Sequence, residues 1–260
     1  MNTRTTLFVS HGAPDVLLRS TEAHAFLAGL GAVIGKPRAI AMVSAHWGTR
    51  TPEVDDSAAP ATIHDFSGFA PELGRWNYPA TGAPREAELA IACLARAGIT
   101  ARATRRGLDH GAWVPLSLAF PRGEIPVFQI ALQPLLGPAH HLALGRALAP
   151  LREQGVLVIG SGGATHDLRS ADPNGGALPD WVAQFDAWLG ERAVEGDAEA
   201  LVDYRARGPQ AARNHPTEEH YLPLLVALGA AGVGARGRKL HASNDYKVLS
   251  MAAYAFDAAS

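Results

Sequence analysis

Three near-continuous apolar runs constrain this chain more than any other feature. Residues 38–44 (RAIAMVS), 126–132 (PVFQIAL) and 155–160 (GVLVIG) lack the polar alternation of a half-exposed antiparallel strand. Such runs belong to strands buried on both faces, as in a parallel sheet covered by helices. Residues 6–10 (TLFVS) read as a further strand, the first in the chain. Helical patterns fall between these runs and after the last, at 21–34, 84–97, 138–153, 179–192, 197–205 and 217–228, and 246–256 reads as a closing strand. The alternation predicts an α/β fold, a single domain over 1–260 with a central, mostly parallel sheet flanked by helices. At 47% hydrophobic residues the chain has apolar material for a core of that size.

The remaining composition mostly excludes functions. Lys and Arg number 23 against 25 Asp and Glu, a net charge of −2. That leaves no basic field to hold nucleic acid or an anionic membrane. Arg102, Arg105 and Arg106 read as a solvated surface cluster. The single cysteine, Cys93, fits a buried helix position and supports neither an intrachain disulfide nor a cysteine metal site. The apolar segment 221–235 is too short to span a bilayer and carries Pro223. The opening MNTRTTLFVSHG does not read as a signal peptide, so the expected compartment is the cytoplasm. Eleven histidines are the feature that points to chemistry.

Three histidines share one position. His11, His46 and His166 each follow an expected strand at its C-terminal end, the ligand-binding edge of a parallel sheet. His220 falls in the first turn of the helix expected from Thr217, where the positive helix end disfavours imidazolium. Imidazole suits zinc, iron, copper and nickel, so convergence of these groups would make a metal site. The plain alternative for each is a hydrogen-bonded loop histidine. His215, before Pro216, is the rival of His220. His110, with Asp109 beside it in GLDHGAW, reads as a group behind a ligand or against a substrate. His64 lies in an aromatic loop, IHDFSGF, that either covers a flat ligand or is plain surface. His140 and His141 are expected to be solvated, and His24 and His241 carry no signal. The segments 49–84 and 102–126 read as long loops, which in compact domains are usually functional. Familiar motifs fail: HPTEEH is not HExxH, GSGGATH lacks the P-loop lysine, and Ser161 is not in GxSxG.

The strings LFVSHGAP, VSAHW, TIHDFSGF, GLDHGAWVPL, PVFQIAL, GSGGATHDL and NHPTEEHYLPLLVALGA, in that order, resemble the class III extradiol ring-cleavage dioxygenases, in their DOPA 4,5-dioxygenase-like branch. The resemblance covers nearly the whole chain. It implies one divalent non-haem metal, Fe(II) for activity or Zn(II) as purified, on His11, His46 and His220, with Glu218 or Glu219 as fallback for the third ligand. It implies His166 as an acid/base residue beside the metal and His110 as a second active-site histidine. The implied substrates are O₂ and a catechol, whose identity would be set by loops 62–80 and 107–115. Phe66, Phe69, Trp47, Trp113 and Tyr78 are candidates to pack against the ring. The alternatives on the same histidines are a zinc-dependent hydrolase with a metal-bound water and a non-catalytic protein that binds a metal or an aromatic. A monomer or small homo-oligomer is expected.

Overall fold

The computed structural model describes residues 5–259. Its centre is a six-stranded sheet built from β1 (Thr5–Ser10), β2 (Ala39–Ser44), β3 (Val127–Gln129), β4 (Val156–Gly162), β5 (Arg236–His241) and β6 (Ala253–Asp257). The spatial order is β3-β2-β4-β1-β6-β5. The first four pair in parallel, with Ile159 of β4 opposite both Leu7 of β1 and Met42 of β2. Strand β6 runs antiparallel to β1 and to β5.

The apolar runs are buried on both faces, and the reason is visible residue by residue. Phe8, Ala41, Val43 and Val158 join one core cluster, while their neighbours Leu7, Val9, Met42 and Ile159 join the other. The second face is covered by α1 (Glu22–Ile34) and α3 (His110–Ala119), and the first by α2 (Pro84–Arg96), α4 (Gly137–Leu148), α5 (Asp180–Glu195) and α6 (Leu222–Ala231). Helices α4 and α6 pack backbone to backbone. A Cβ on Gly145 would lie 2.2 Å from the Val226 carbonyl oxygen, and one on Gly229 2.3 Å from that of Leu142. Cys93 is buried on α2, as its pattern implies.

The structure departs from the sequence expectations in particular places. The helix expected over 217–228 starts only at Leu222, with Pro223 in its first turn, so Thr217 is not its cap and His220 sits in the preceding turn. The closing strand is shorter than 246–256, because Tyr246 and Lys247 turn at φ 48° and 68°. Strand β5 (RGRKLH) is an edge strand with few apolar residues and gives no apolar pattern to read. Segment 102–126 is not a loop throughout. It contains α3, which Gly111 and Pro115 disguise. His141 is buried, not solvated: its Nε2 accepts from the Gln133 amide at 3.0 Å and its Nδ1 bonds the Gly137 carbonyl at 2.7 Å. No helix among the described residues is long and apolar enough to cross a membrane.

Candidate metal centre

The C-terminal ends of β1, β2 and β4 meet at one edge of the sheet and carry His11, His46 and His166. His220 reaches the same edge because β4 ends in glycines. A Cβ on Gly162 would lie 2.2 Å from the His220 carbonyl oxygen, and the Gly163 amide donates to that oxygen at 3.0 Å. His110 opens α3 at the same place. Gly111 beside it has no room for a side chain, since a Cβ there would meet Ser44 Oγ at 2.3 Å and the rings of His46 and His11 at 3.1 and 3.2 Å.

Three ring nitrogens converge. His46 Nε2 lies 3.0 Å from His11 Nε2 and 3.3 Å from His220 Nε2. Two nitrogens on one tetrahedral ion, each about 2.0–2.1 Å from it, sit about 3.3 Å apart. The donor set therefore fits a divalent cation such as iron or zinc. His110 and His166 flank it. The His110 ring centroid is 3.8 Å from that of His46, and the His166 ring stacks on His220 at 3.3 Å. The ligating atoms of His11, His46 and His110 all lie within 4.8 Å of one another, and so do those of His166, Glu219 and His220.

The surroundings fix which nitrogen faces inward. Ser161 donates its hydroxyl proton to the Gly111 carbonyl at 2.5 Å, so only its lone pairs remain for His11 Nδ1 at 2.9 Å. Nδ1 must then carry the proton and Nε2 the free lone pair. His220 Nδ1 faces Glu219 Oε1 at 3.2 Å with the same consequence. His46 is held through its backbone: its amide donates to Ser44 Oγ at 3.2 Å, and Arg106 donates to its carbonyl at 3.1 Å. Behind that loop the buried Asp109 accepts from Ser44, Arg106 and Gln129. Outer partners of this kind orient metal-binding imidazoles and tune their basicity.

Electrostatics keep these imidazoles neutral. Burial holds His11 and His220 well below the ordinary histidine value, and neighbouring histidines add to the effect. Burial, reinforced by His110, lowers His46 to about 3. Burial lowers His166 to about 4. Asp65 goes the other way for a carboxylate: burial pushes it up, but the hydrogen bonds and charge of His110 outweigh that and bring it to about 2. It accepts from both the backbone amide and Nδ1 of His110, at 3.1 and 2.8 Å.

The histidines form the floor of a cavity of about 430 Å³, within the roughly 300–1,000 Å³ of ordinary small-molecule sites. Its walls include Phe66, Phe69, Leu249 and Met251. Of the five candidate aromatics, Phe66 and Phe69 line the cavity, whereas Trp47, Trp113 and Tyr78 are buried in the packing around it. His215, the sequence rival of His220, is excluded by geometry. It is fully buried, edge-on to Phe185, Tyr204 and Tyr221, with Nε2 on the Ala164 carbonyl at 3.0 Å. His64 is on the exposed loop, bonded to the Trp76 carbonyl. Sequence reasoning missed Asp65 and Ser161. Asp109 was the visible carboxylate beside His110, but Asp65 makes the contact, and its only signal was its place in the aromatic loop 62–80.

Residues 22–257 match the family described as the catalytic LigB subunit of aromatic ring-opening dioxygenase. The chain belongs to this family. A Beta vulgaris relative, 4,5-DOPA dioxygenase extradiol, is 40% identical over 98% of this chain and 97% of its own length. The protein of that name from Escherichia coli K12 is 36% identical over 86% of this chain and 84% of its own length. A solved structure of an uncharacterized Escherichia coli K12 protein superposes with a TM-score of 0.81 at 31% identity, covering 96% of this chain and 98% of that one. LigB membership makes this chain an aromatic ring-opening dioxygenase of the class III extradiol type and sets it apart from the metallohydrolases considered above. His11 precedes the family match, but the Beta vulgaris relative aligns along 98% of the chain.

Proposed function

We propose that this chain holds one divalent metal on His11, His46 and His220 and opens the ring of a catechol beside its diol, with both atoms of O₂ ending in the product. The observation that carries the reading is the convergence of three Nε2 atoms on the floor of an aromatic-walled cavity. The relatives named as DOPA dioxygenases support it. When bound there, Fe(II) supplies Lewis-acid polarisation of the diol together with redox access to O₂, whereas Zn(II) supplies only the first.

The chain's own residues do the rest. Three neutral imidazoles would hold the ion on the cavity floor and leave its cavity side open to a diol. Phe66 and Phe69 wall the ring's space, which restricts its orientation and keeps out water. His166 is neutral at pH 7 and so fit to accept a hydroxyl proton and return it after ring opening. His110 donates Nδ1–H to Asp65, which leaves Nε2 as the atom free to take a proton. The Asp65 carboxylate stabilises the imidazolium that results.

Reconstitution without oxygen tests the function. Protein loaded with Fe(II) under nitrogen and mixed with catechols should develop a yellow ring-opened product only when O₂ is admitted, with one O₂ consumed per ring. Absence of O₂ uptake at full iron occupancy would sink the reading. A subtler expectation concerns Ser161. Ser161→Ala removes the acceptor that fixes the His11 tautomer and should weaken metal affinity about 10- to 100-fold, measured by competition against a chromogenic chelator. Unchanged affinity would make Ser161 a packing residue.

A further inference from the structure

We infer that Tyr246 is a positioning residue that clasps the mouth of the cavity and so limits the bulk of the side arm a catechol can carry into it. The inference rests on the catechol reading above and names a residue outside the cavity lining that shapes it. Residues 244–250 form a small hairpin, with Asn244 opposite Ser250 and Asp245 opposite Leu249. Its returning arm brings Leu249, Ser250 and Met251 to the cavity wall. Another part of the wall is the segment after His11, with Ala13 and Pro14, where Pro14–Leu17 make one helical turn. The Tyr246 hydroxyl, in the turn of the hairpin, donates to the Asp15 carboxylate and so ties the two segments together.

The turn is costly to hold, and it is held at several points. Tyr246 and Lys247 sit at φ 48° and 68°, a left-handed conformation that disfavours any residue with a Cβ. Such strain persists only where the surroundings over-determine it, and it collects at ligand clamps. Here Arg19 grips the Asp245 carboxylate with two nitrogens, at 2.6 and 2.8 Å, and its guanidinium lies over the Tyr246 ring at 4.8 Å. Asp245 also accepts from the Tyr246 amide at 3.0 Å. The ring packs on the cluster of Val182, Val248 and Leu249. The Tyr246 carbonyl accepts from the Asp172 amide at 3.0 Å, which draws in the segment that brings Leu168 to the cavity. Three lining segments are thus fastened at one residue. Beside His11 two of them already touch, since a Cβ on Gly12 would lie 2.6 Å from Met251 Cε. The clasp acts farther along both, and governs the spacing that this contact leaves open. Burial, and then the bond to Asp15, pushes the Tyr246 hydroxyl up to about 12, so it stays a donor near neutrality. Loss of the hydroxyl alone frees the hairpin from the Pro14 segment while the ring keeps its packing.

The test compares 4-methylcatechol with 4-tert-butylcatechol on the Fe(II)-loaded protein, two arms that differ in bulk and not in charge. The unaltered protein should favour the methyl compound in kcat/KM. Tyr246→Phe should shift that ratio toward the tert-butyl compound by about tenfold, the low end of what one methylene is worth in an apolar pocket. The shift should lie in KM and in the Kd from oxygen-free calorimetry, with metal content and kcat held. Asp15→Ala should reproduce it, and the double variant should add little to either, because both remove one bond. Asp15→Asn leaves an acceptor for the hydroxyl and should keep the ratio of the unaltered protein. Three results would overturn the inference and leave the dioxygenase reading standing: equal use of the two compounds by the unaltered protein, an unchanged ratio in Tyr246→Phe, or a joint loss of kcat and metal for both compounds in that variant. If the unaltered protein neither binds nor opens either catechol, the inference falls together with the reading beneath it.

Discussion

Alanine at His46 is expected to strip the protein of its metal and to bring ring opening below detection. His46 Nε2 stands between His11 Nε2 and His220 Nε2, at 3.0 and 3.3 Å. Removing its imidazole leaves two ligands where a stable site needs three. His11→Ala and His220→Ala should behave alike, with metal content after dialysis falling from near one per chain to a small fraction. His140→Ala is the control: it lies on α4 with Nε2 on Gln133, outside the cavity, and should keep full occupancy. The rings of His11, His46 and His220 are mostly buried, so folding is checked by circular dichroism and thermal melting of each metal-free variant. Full occupancy in His220→Ala would move the third ligand to His110, which groups with His11 and His46 within 4.8 Å, or to Glu219, which groups with His166 and His220. His215 is no substitute, because its Nε2 is spent on the Ala164 carbonyl and it is walled in by aromatic rings.

Much of this arrangement was legible in the chain because parallel strands leave a strong trace. Their residues face two cores, so β2, β3 and β4 read as apolar runs, and the edge they end on is the ligand edge. That rule alone brings His11, His46 and His166 together. The expectation for His220 rests partly on a helix N-terminus that the structure places elsewhere. The sequence suggested a helix N-terminus at Thr217, but the helix starts at Leu222. What places His220 is the close approach of its carbonyl to Gly162 and Gly163. Its neutrality comes first from burial, not from a helix dipole.

The parts that were not legible are those decided by long-range pairing. Strand β5 is polar and lies on the sheet edge, paired only with β6, so no periodicity marks it. Helix α3 contains Gly111 and Pro115, residues that ordinarily break a helix. The glycine is required because a side chain would collide with Ser44, His46 and His11. Pro115 lies inside α3, and its missing amide frees the Gly111 carbonyl, which instead accepts from the Ser161 hydroxyl. Asp65 and Ser161 act on histidines 45 and 150 residues away in the chain, and no local pattern announces contacts of that span.

His166→Gln separates proton transfer from binding, and its expected effect is the largest that leaves the metal in place. The His166 ring stacks on His220 at 3.3 Å and lies almost parallel to it, at 10°. It therefore stands beside the proposed ligand and against the space where a chelated diol would lie. Its backbone amide donates a hydrogen bond to the Asn214 carbonyl at 2.8 Å, which fixes the turn that presents the ring to the cavity. Burial brings its pKa to about 4, which leaves it unprotonated at pH 7. That is the form needed to take a proton from the diol, and the conjugate imidazolium can return it after ring opening. Glutamine fills a similar volume and forms hydrogen bonds, but it does not exchange a proton near neutrality. Metal content and oxygen-free catechol affinity should persist, while kcat falls about 10²- to 10⁴-fold, the usual contribution of a general acid–base group. His110→Gln should cost a similar factor if Nε2 shares the proton, and should instead raise KM at nearly constant kcat if His110 only positions the ring. Loss of metal in His166→Gln would make His166 a ligand, and undiminished turnover would make it a bystander. The kinetic split between kcat and KM, read beside the metal content, therefore assigns each histidine one role.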